Sequence, residues 1–435
     1  MESTQEVQTV FQRALAELAN RKYRADNGLI NCIRLPFPRL RRFWPGIEKG
    51  RYIIVTANQK VGKSKLSDYL FVYDPFFYYL SNPNILRLKI LYFTLEVSKE
   101  EKFYEFLCHL LFKLNQIRID PIRLKSTDAE NPVPQEVLDL LSSDRYQQYI
   151  QRFEECVEFI DDIRNPTGIN KYCRAYALNP ANGKSHLKEI EYTNLETGVI
   201  EKREVPDYYE PNDPDEIRII IIDNYSNLTL ESGYNKMQNI DKMSKYCITL
   251  RDNLNYSVVG IQHQNQAQEG IENFKLGKLK PSPDGLADCK TTIRDANMAI
   301  GLYSPYKYEI REYERYDITR FKNHIRFLEI MENRNGESGS ITPLFFDGAV
   351  STFEELPLPT DRGIDEYYNY LRFIREERTV EGDIERMHNS LPRQTSFYSF
   401  STMRTSNLAE QSRKKSNFFN RVKNYIYGRS SINNG

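Results

Sequence analysis

The chain has 435 residues, 40% of them hydrophobic and 28% charged, which excludes a disordered or fibrous protein and allows one large domain or two ordinary ones. Lys+Arg and Asp+Glu both number 60, so mean charge argues neither for nor against a polyanionic partner, and the placement of charge has to decide. No run approaches the roughly 18 uninterrupted apolar residues of a membrane span, and the first six residues have neither a basic start nor an apolar core, so no membrane association and a cytoplasmic location are expected.

Val7, Val10, Phe11, Ala14, Leu15 and Leu18 fall at helical spacing and predict an amphipathic helix from about Gln5 to Arg24, ended near Asn27-Gly28. Its apolar face must be covered by the chain's own core or by a neighbouring subunit. Pro36, Pro38 and Pro45-Gly46 punctuate a loop carrying Arg39, Arg41 and Arg42. Short apolar runs then recur at Tyr52–Thr56, Lys89–Thr94, Arg218–Asp223, Ser257–Ile261 and Asn297–Leu302. Separated by helical stretches, they predict an α/β fold with a parallel sheet covered on both faces.

The interval between the second and third runs is long and polar. It reads as a small hairpin over Tyr192–Ile200 around Gly198, followed by an acidic, proline-bearing loop from Pro206 to Asp215. Arg326–Met331 and Ser340–Phe346 predict a terminal β-hairpin across Asn335-Gly336. From Arg393 onward Arg404, Arg413, Lys414, Lys415, Arg421, Lys423 and Arg429 face only Glu410, which predicts a largely disordered basic tail with a short helix around Phe418 to Tyr427. The six cysteines form no CxxC pair and predict reduced, structural thiols rather than a metal framework.

The strongest chemical signal is Ala57-Asn58-Gln59-Lys60-Val61-Gly62-Lys63-Ser64. It matches the phosphate-binding pattern G-x-x-x-x-G-K-[ST] except that Ala57 replaces the first glycine, and it lies between a predicted strand and a helical face at Leu66, Tyr69, Leu70 and Tyr73. Backbone N–H groups of such a loop, here Ala57 through Lys65, point at phosphates. Lys63 would neutralise the β- and γ-phosphates of ATP, and Ser64 would hold Mg²⁺. Glu96 follows the second strand, where a carboxylate faces the ligand crevice and can activate water; the alternative is a surface carboxylate. Asp223 ends a run of four isoleucines, the Walker-B arrangement for a second Mg²⁺ ligand. Gln262-His263-Gln264-Asn265 closes the fourth strand and reads either as a γ-phosphate sensor or as an ordinary polar loop. Arg334, near a hairpin tip, reads either as a surface residue or as an arginine finger reaching a neighbouring subunit's nucleotide.

Taken together, the strings IIVTANQKVGKS, ILYFTLEVSKE, IIIIDNYSNL, SVVGIQHQN, DANMAIGLY and ENRNGESG resemble, in order, the C-terminal motor domain of replicative DnaB-type helicases, over roughly Asn27 to Phe353. The resemblance implies a RecA-like fold, a homo-hexameric ring, ATP hydrolysis between subunits and movement along single-stranded DNA. It gives Glu96 the role of catalytic base, His263 that of γ-phosphate sensor and Arg334 that of finger. It also implies a primase or a helicase loader as further partners. Glu332 stands where the family has a lysine, and Ala287-Asp288-Cys289-Lys290 stands where it has Arg-Glu-x-Gly beside the DNA loop. Lys275, Lys278, Lys280 and Lys290 are the candidate DNA contacts.

The expected organisation is a linker-type helix over residues 1–26, a RecA-like ATPase domain over 27–356 with an insertion within about 120–214, and a helical segment with the basic tail over 357–435. The room before Ala57 is too short for the family's N-terminal domain, which by analogy suggests a phage replication protein. Two other readings stay open: a RecA-like DNA-binding ATPase without unwinding activity, and a degenerate nucleotide-binding structural or loading partner.

Overall fold

An apolar run with no polar side is satisfied only when both of its faces are covered, and the five such runs become five adjacent strands of one nine-stranded sheet in the computed structural model. The structure describes residues 9–194, 198–275, 278–376 and 378–390. The strands are β1 (Arg51–Ala57), β2 (Arg87–Thr94), β3 (Val157–Ile160), β4 (Glu216–Asp223), β5 (Ser257–His263), β6 (Met298–Tyr303), β7 (Ile325–Asn333), β8 (Ile341–Asp347) and β9 (Thr352–Glu355). Their order across the sheet is β9-β8-β7-β6-β1-β5-β4-β2-β3. The six from β6 to β3 are parallel, and β7, β8 and β9 extend the sheet antiparallel.

Alternation places Tyr52 and Ile54, Leu91 and Phe93, and Ile220 and Ile222 on one face. There they pack with Ile169 and Cys173 of the helix Pro166–Ala177 and with Ile240, Met243, Cys247 and Leu250 of the helix Lys236–Leu254. The opposite face is covered by α1 (Lys63–Asp68), which runs through a π-helical turn into Asp74–Ser81, and by α2 (Lys99–Asn115). Register sets the site. Ala57 of β1 lies opposite His263 of β5, and Thr94 of β2 lies opposite Asp223 of β4. The carboxyl ends of the four central strands therefore share one edge of the sheet.

Three local readings need correction. Of the stretch from Pro206 to Asp215 only residues 212–215 are loop: Gly183–Thr193 and Ile200–Pro211 form a long two-stranded ribbon in which Pro206 pairs with Leu187. Each strand of a two-stranded ribbon has one unpaired side, so a proline nitrogen needs no partner there. The acidic residues pair with the opposite strand, Glu189 with Lys202 at 2.7 Å and Asp207 with Lys188 at 3.0 Å. The long interval also contributes β3 to the sheet, and the terminal hairpin continues into a further edge strand, β9.

Residues 32–388 form one compact unit. Within it Ile364 and Leu371 of the helix Ile364–Glu376 pack with Phe321, Ile325 and Phe345. The N-terminal helix spans Val10–Asp26 and starts with a capping box in which Thr9 Oγ1 accepts from Gln12 N at 3.2 Å. The basic tail and its expected helix at Phe418 to Tyr427 lie outside the described residues. Among the described residues no helix is long and apolar enough to cross a membrane.

His109 of α2 is 3% exposed, lies 3.0 Å by Nδ1 from the Val350 carbonyl and stacks on Tyr73 at 4.6 Å. Burial pushes its imidazole down to about 4, and the Val350 bond offsets only part of this. A folded-state value below the unfolded one, near 6.5, means that the neutral ring's contribution is full above that value and is lost as pH falls through the folded one. Between pH 7 and 4 the urea-unfolding stability of the parent should fall by about 3 kcal/mol more than that of His109→Gln. Equal losses in the two proteins would show that His109 does not titrate in this way.

Candidate active site

β1 delivers the chain at Ala57, and α1 takes it away at Lys63. The reversal needs left-handed backbone at Gly62, with φ of 99°. A Cβ there would sit 3.2 Å from Cζ of Phe346, so a side chain would crowd that ring as well as strain the backbone. The loop is tied from outside: Asn58 Nδ2 donates to the Leu279 carbonyl at 2.8 Å, and Lys307 Nζ donates to the Gln59 carbonyl at 2.9 Å while pairing with Glu269.

Lys63 is buried at 7% exposure, and desolvation lowers its pKa, opposed by the charges of Asp223 and Glu96. Ser64 Oγ donates to Asp223 Oδ1 at 3.3 Å. The other Asp223 oxygen accepts from Tyr92 Oη at 3.0 Å and lies 3.6 Å from Lys102 Nζ. Lys102, on α2, is 2% exposed and is bound to Asp68 at 2.9 Å. Burial alone would lower its pKa, but Asp68 and then Asp223 outweigh it and hold the ammonium above the usual lysine range. Tyr92 Oη completes the cluster at 2.8 Å from Asp68 Oδ1. The side chain of Lys65 is turned to Glu105 at 3.0 Å and Ser351 at 3.2 Å, which leaves its backbone for the cradle.

Beside this cluster Asn224 Nδ2 donates to Glu96 Oε2 at 2.7 Å and lies 3.2 Å from His263 Nε2. Burial lowers the His263 pKa and the Lys63 charge lowers it further, against the opposing charges of Glu96 and Asp223, which favours the neutral ring. Asn224 Oδ1 and His263 Nδ1 are buried without a hydrogen-bond partner among the described residues. An unmet acceptor and an unmet ring nitrogen beside Lys63, Ser64 and Asp223 fit a polyphosphate with its Mg²⁺ and water. The flanking amides are occupied elsewhere. Gln262 donates to the Ala287 and Cys289 carbonyls, Gln264 to Thr56 and Ser282, and Asn265 accepts from Ala267 N. Of that quartet only His263 reaches the cluster.

Arg334 lies elsewhere. Its backbone N–H bonds the Asn297 carbonyl at 2.9 Å, Asn297 N–H bonds Tyr52 O at 2.7 Å, and its exposed side chain donates to the Arg294 carbonyl. That is the amino end of β1, the strand's length from Lys63, or roughly 20 Å at ~3.3 Å per residue. Lys280 is paired with Glu329 at 2.9 Å, whereas Lys275, Lys278 and Lys290 are exposed. Asn224, Tyr92, Asp68 and Lys102 were not singled out from the sequence. Asn224 had a usable signal, a polar residue directly after Asp223 at a strand's carboxyl end. Lys102 had none, since a lysine early in an amphipathic helix reads as solvated.

Removing one member of a buried ion pair leaves the other charge unmatched. Lys102→Met should therefore destabilise the protein by roughly 3–5 kcal/mol in urea, and Asp68→Asn in the same chain should recover more than half. A Lys102→Met variant as stable as the parent would contradict the buried pair.

No protein-family model matches the sequence, and no curated protein matches it. Among solved structures the chain is similar to a DnaB-like replicative helicase studied with its interactions with primase, at 15% identity and a TM-score of 0.53, covering 80% of this chain and 68% of that one. It is similar to a second solved structure, an ATPase domain, at the same identity and TM-score, covering 80% of this chain and all of that domain. The chain thus shares the fold of these two structures, an α/β architecture with a mostly parallel sheet flanked by helices.

Proposed function

We propose that the chain is an ATP-hydrolysing motor of the DnaB type, acting as a homo-hexameric ring that moves along single-stranded DNA. The observation that carries this reading is the convergence of Lys63, Ser64, Asp223, Glu96, Asn224 and His263 at the carboxyl ends of β1, β4, β2 and β5. The loop N–H groups and Lys63 bind the β- and γ-phosphates. Ser64 and Asp223 would hold Mg²⁺, which would supply charge neutralisation to the phosphates. Glu96 orients the attacking water and takes its proton, with Asn224 holding the carboxylate at 2.7 Å. Neutral His263 senses the γ-phosphate by hydrogen bonding.

Arg334, placed far from its own chain's Lys63, acts on the nucleotide of a neighbouring subunit. Lys275, Lys278 and Lys290, with Lys280 held by Glu329, contact the DNA backbone, which makes binding salt-dependent and independent of sequence. A primase or a helicase loader is the further partner, and the cytoplasm, of the host if the chain is phage-encoded, is the place of action. The second reading, a degenerate nucleotide-binding structural or loading partner, is favoured by Glu332, which puts an exposed negative charge two residues before Arg334.

Arg334→Ala should lower kcat by roughly 10³-fold or more and leave the affinity for a fluorescent ADP analogue nearly intact. Lys63→Ala should lose turnover as well. Mixed together, the two inactive variants should regain part of the activity, because some interfaces then join an intact Lys63 to an intact Arg334. Normal turnover by Arg334→Ala, or no recovery from a mixture shown to co-assemble, would rule out the finger in trans.

A further inference from the structure

Arg326 is the largest of the fully buried side chains among the described residues, at 1% exposure. It stands on β7 between Ile325 and Phe327, where the strand is otherwise apolar core. All its hydrogen bonds go to neutral oxygens. Nε donates to the Val61 carbonyl at 2.6 Å, Nη1 to the Asn323 and Ile325 carbonyls, each at 2.8 Å, and Nη2 to Asn323 Oδ1 at 2.8 Å. Its guanidinium lies 4.5 Å from the centre of the Phe346 ring, and that ring also packs beneath Gly62. Burial is the one influence on its acidity and lowers its pKa to about 9, so the group keeps its charge at neutral pH with no carboxylate opposing it.

A buried cation without a counter-ion is costly, and an apolar side chain on a core strand would avoid the cost. Beyond Asn323 and Ile325 on its own segment, the guanidinium is hydrogen-bonded to the phosphate loop, at the Val61 carbonyl. A peptide unit is planar and trans, so its N–H points opposite to its C=O. With the Val61 carbonyl drawn down to Arg326, the Gly62 N–H is turned away from β7, to the open side of the loop. The Phe346 ring lies against the same residue, 3.2 Å from where a Gly62 Cβ would sit.

We infer that Arg326 is a positioning residue of the phosphate cradle: it locks the Val61–Gly62 peptide so that the Gly62 N–H faces a bound polyphosphate, whose charge answers the unmatched guanidinium. The inference rests on the ATP-site reading above and extends it to a residue on a different strand with no place in the loop motif. Arg326 touches no substrate. It acts through the loop, on binding rather than on the chemical step.

The test is the Kd of the full chain for mant-ADP with Mg²⁺, beside thermal melts and steady-state kinetics. Arg326→Gln keeps hydrogen-bonding capacity without charge and should weaken binding roughly 10- to 100-fold. KM should rise by a similar factor, with kcat at saturation little changed, and Arg326→Lys should recover part of the affinity. Asn323 is exposed, so Asn323→Ala should fold, and by loosening the guanidinium it should weaken binding several-fold, about 3 to 10. A cooperatively melting Arg326→Gln that binds like the parent overturns the inference alone. If that variant does not fold, an Asn323→Ala with unchanged Kd overturns it. A parent chain that binds no mant-ADP overturns the ATP-site reading, and this inference with it.

Discussion

Charge taken out of water has to meet opposite charge, and the interior beneath the phosphate loop is organised by that requirement. Lys63, Lys102 and Arg326 are buried there with Asp68 and Asp223. Lys102 bridges the two carboxylates. Lys63 at the head of α1 is answered by Asp223 and Glu96, whereas Arg326 under the loop hydrogen-bonds only neutral oxygens among the described residues. The same pairing orients Asp223. Tyr92 and Lys102 engage one carboxylate oxygen, and the other is left to Ser64.

Sheet topology turns that charge cluster into a site. β5 lies between β1 and β4, so His263 stands between the phosphate loop and Asp223. β2 lies beyond β4 and brings Glu96 to the same edge, where Asn224 joins it to His263. Antiparallel pairing of β6 with β7 sends Arg334 to the other end of β1. One chain thus carries the proposed ATP-site residues at one end of its sheet and a candidate finger at the other. This polarity suits subunits that complete each other's sites around a ring.

The parts legible in the sequence were those with local pattern. The isoleucine run of β4 and the valines of β5 admit no polar face, so they could only be buried strands. The loop before Lys63 is written in consecutive residues. β3 escaped because Val-Glu-Phe-Ile is short and follows a helix directly, with no turn residue to mark it. The ribbon beyond its tip at Tyr192–Ile200 escaped because its charges are matched across strands rather than along one, so each strand alone reads as polar loop. Asp68, Lys102 and Arg326 were illegible for a different reason. Their burial depends on partners on distant elements, and no spacing within a strand or helix announces a satisfied internal charge.

The central claim is that this site turns over ATP to drive motion along a strand. The most direct test is the ATPase rate of the full chain with and without single-stranded DNA, with Glu96→Gln as control. The account predicts turnover that rises with DNA and is abolished in Glu96→Gln while nucleotide binding persists. Turnover in neither condition, by a parent chain that still binds nucleotide, would contradict it and identify a nucleotide-binding structural or loading protein instead.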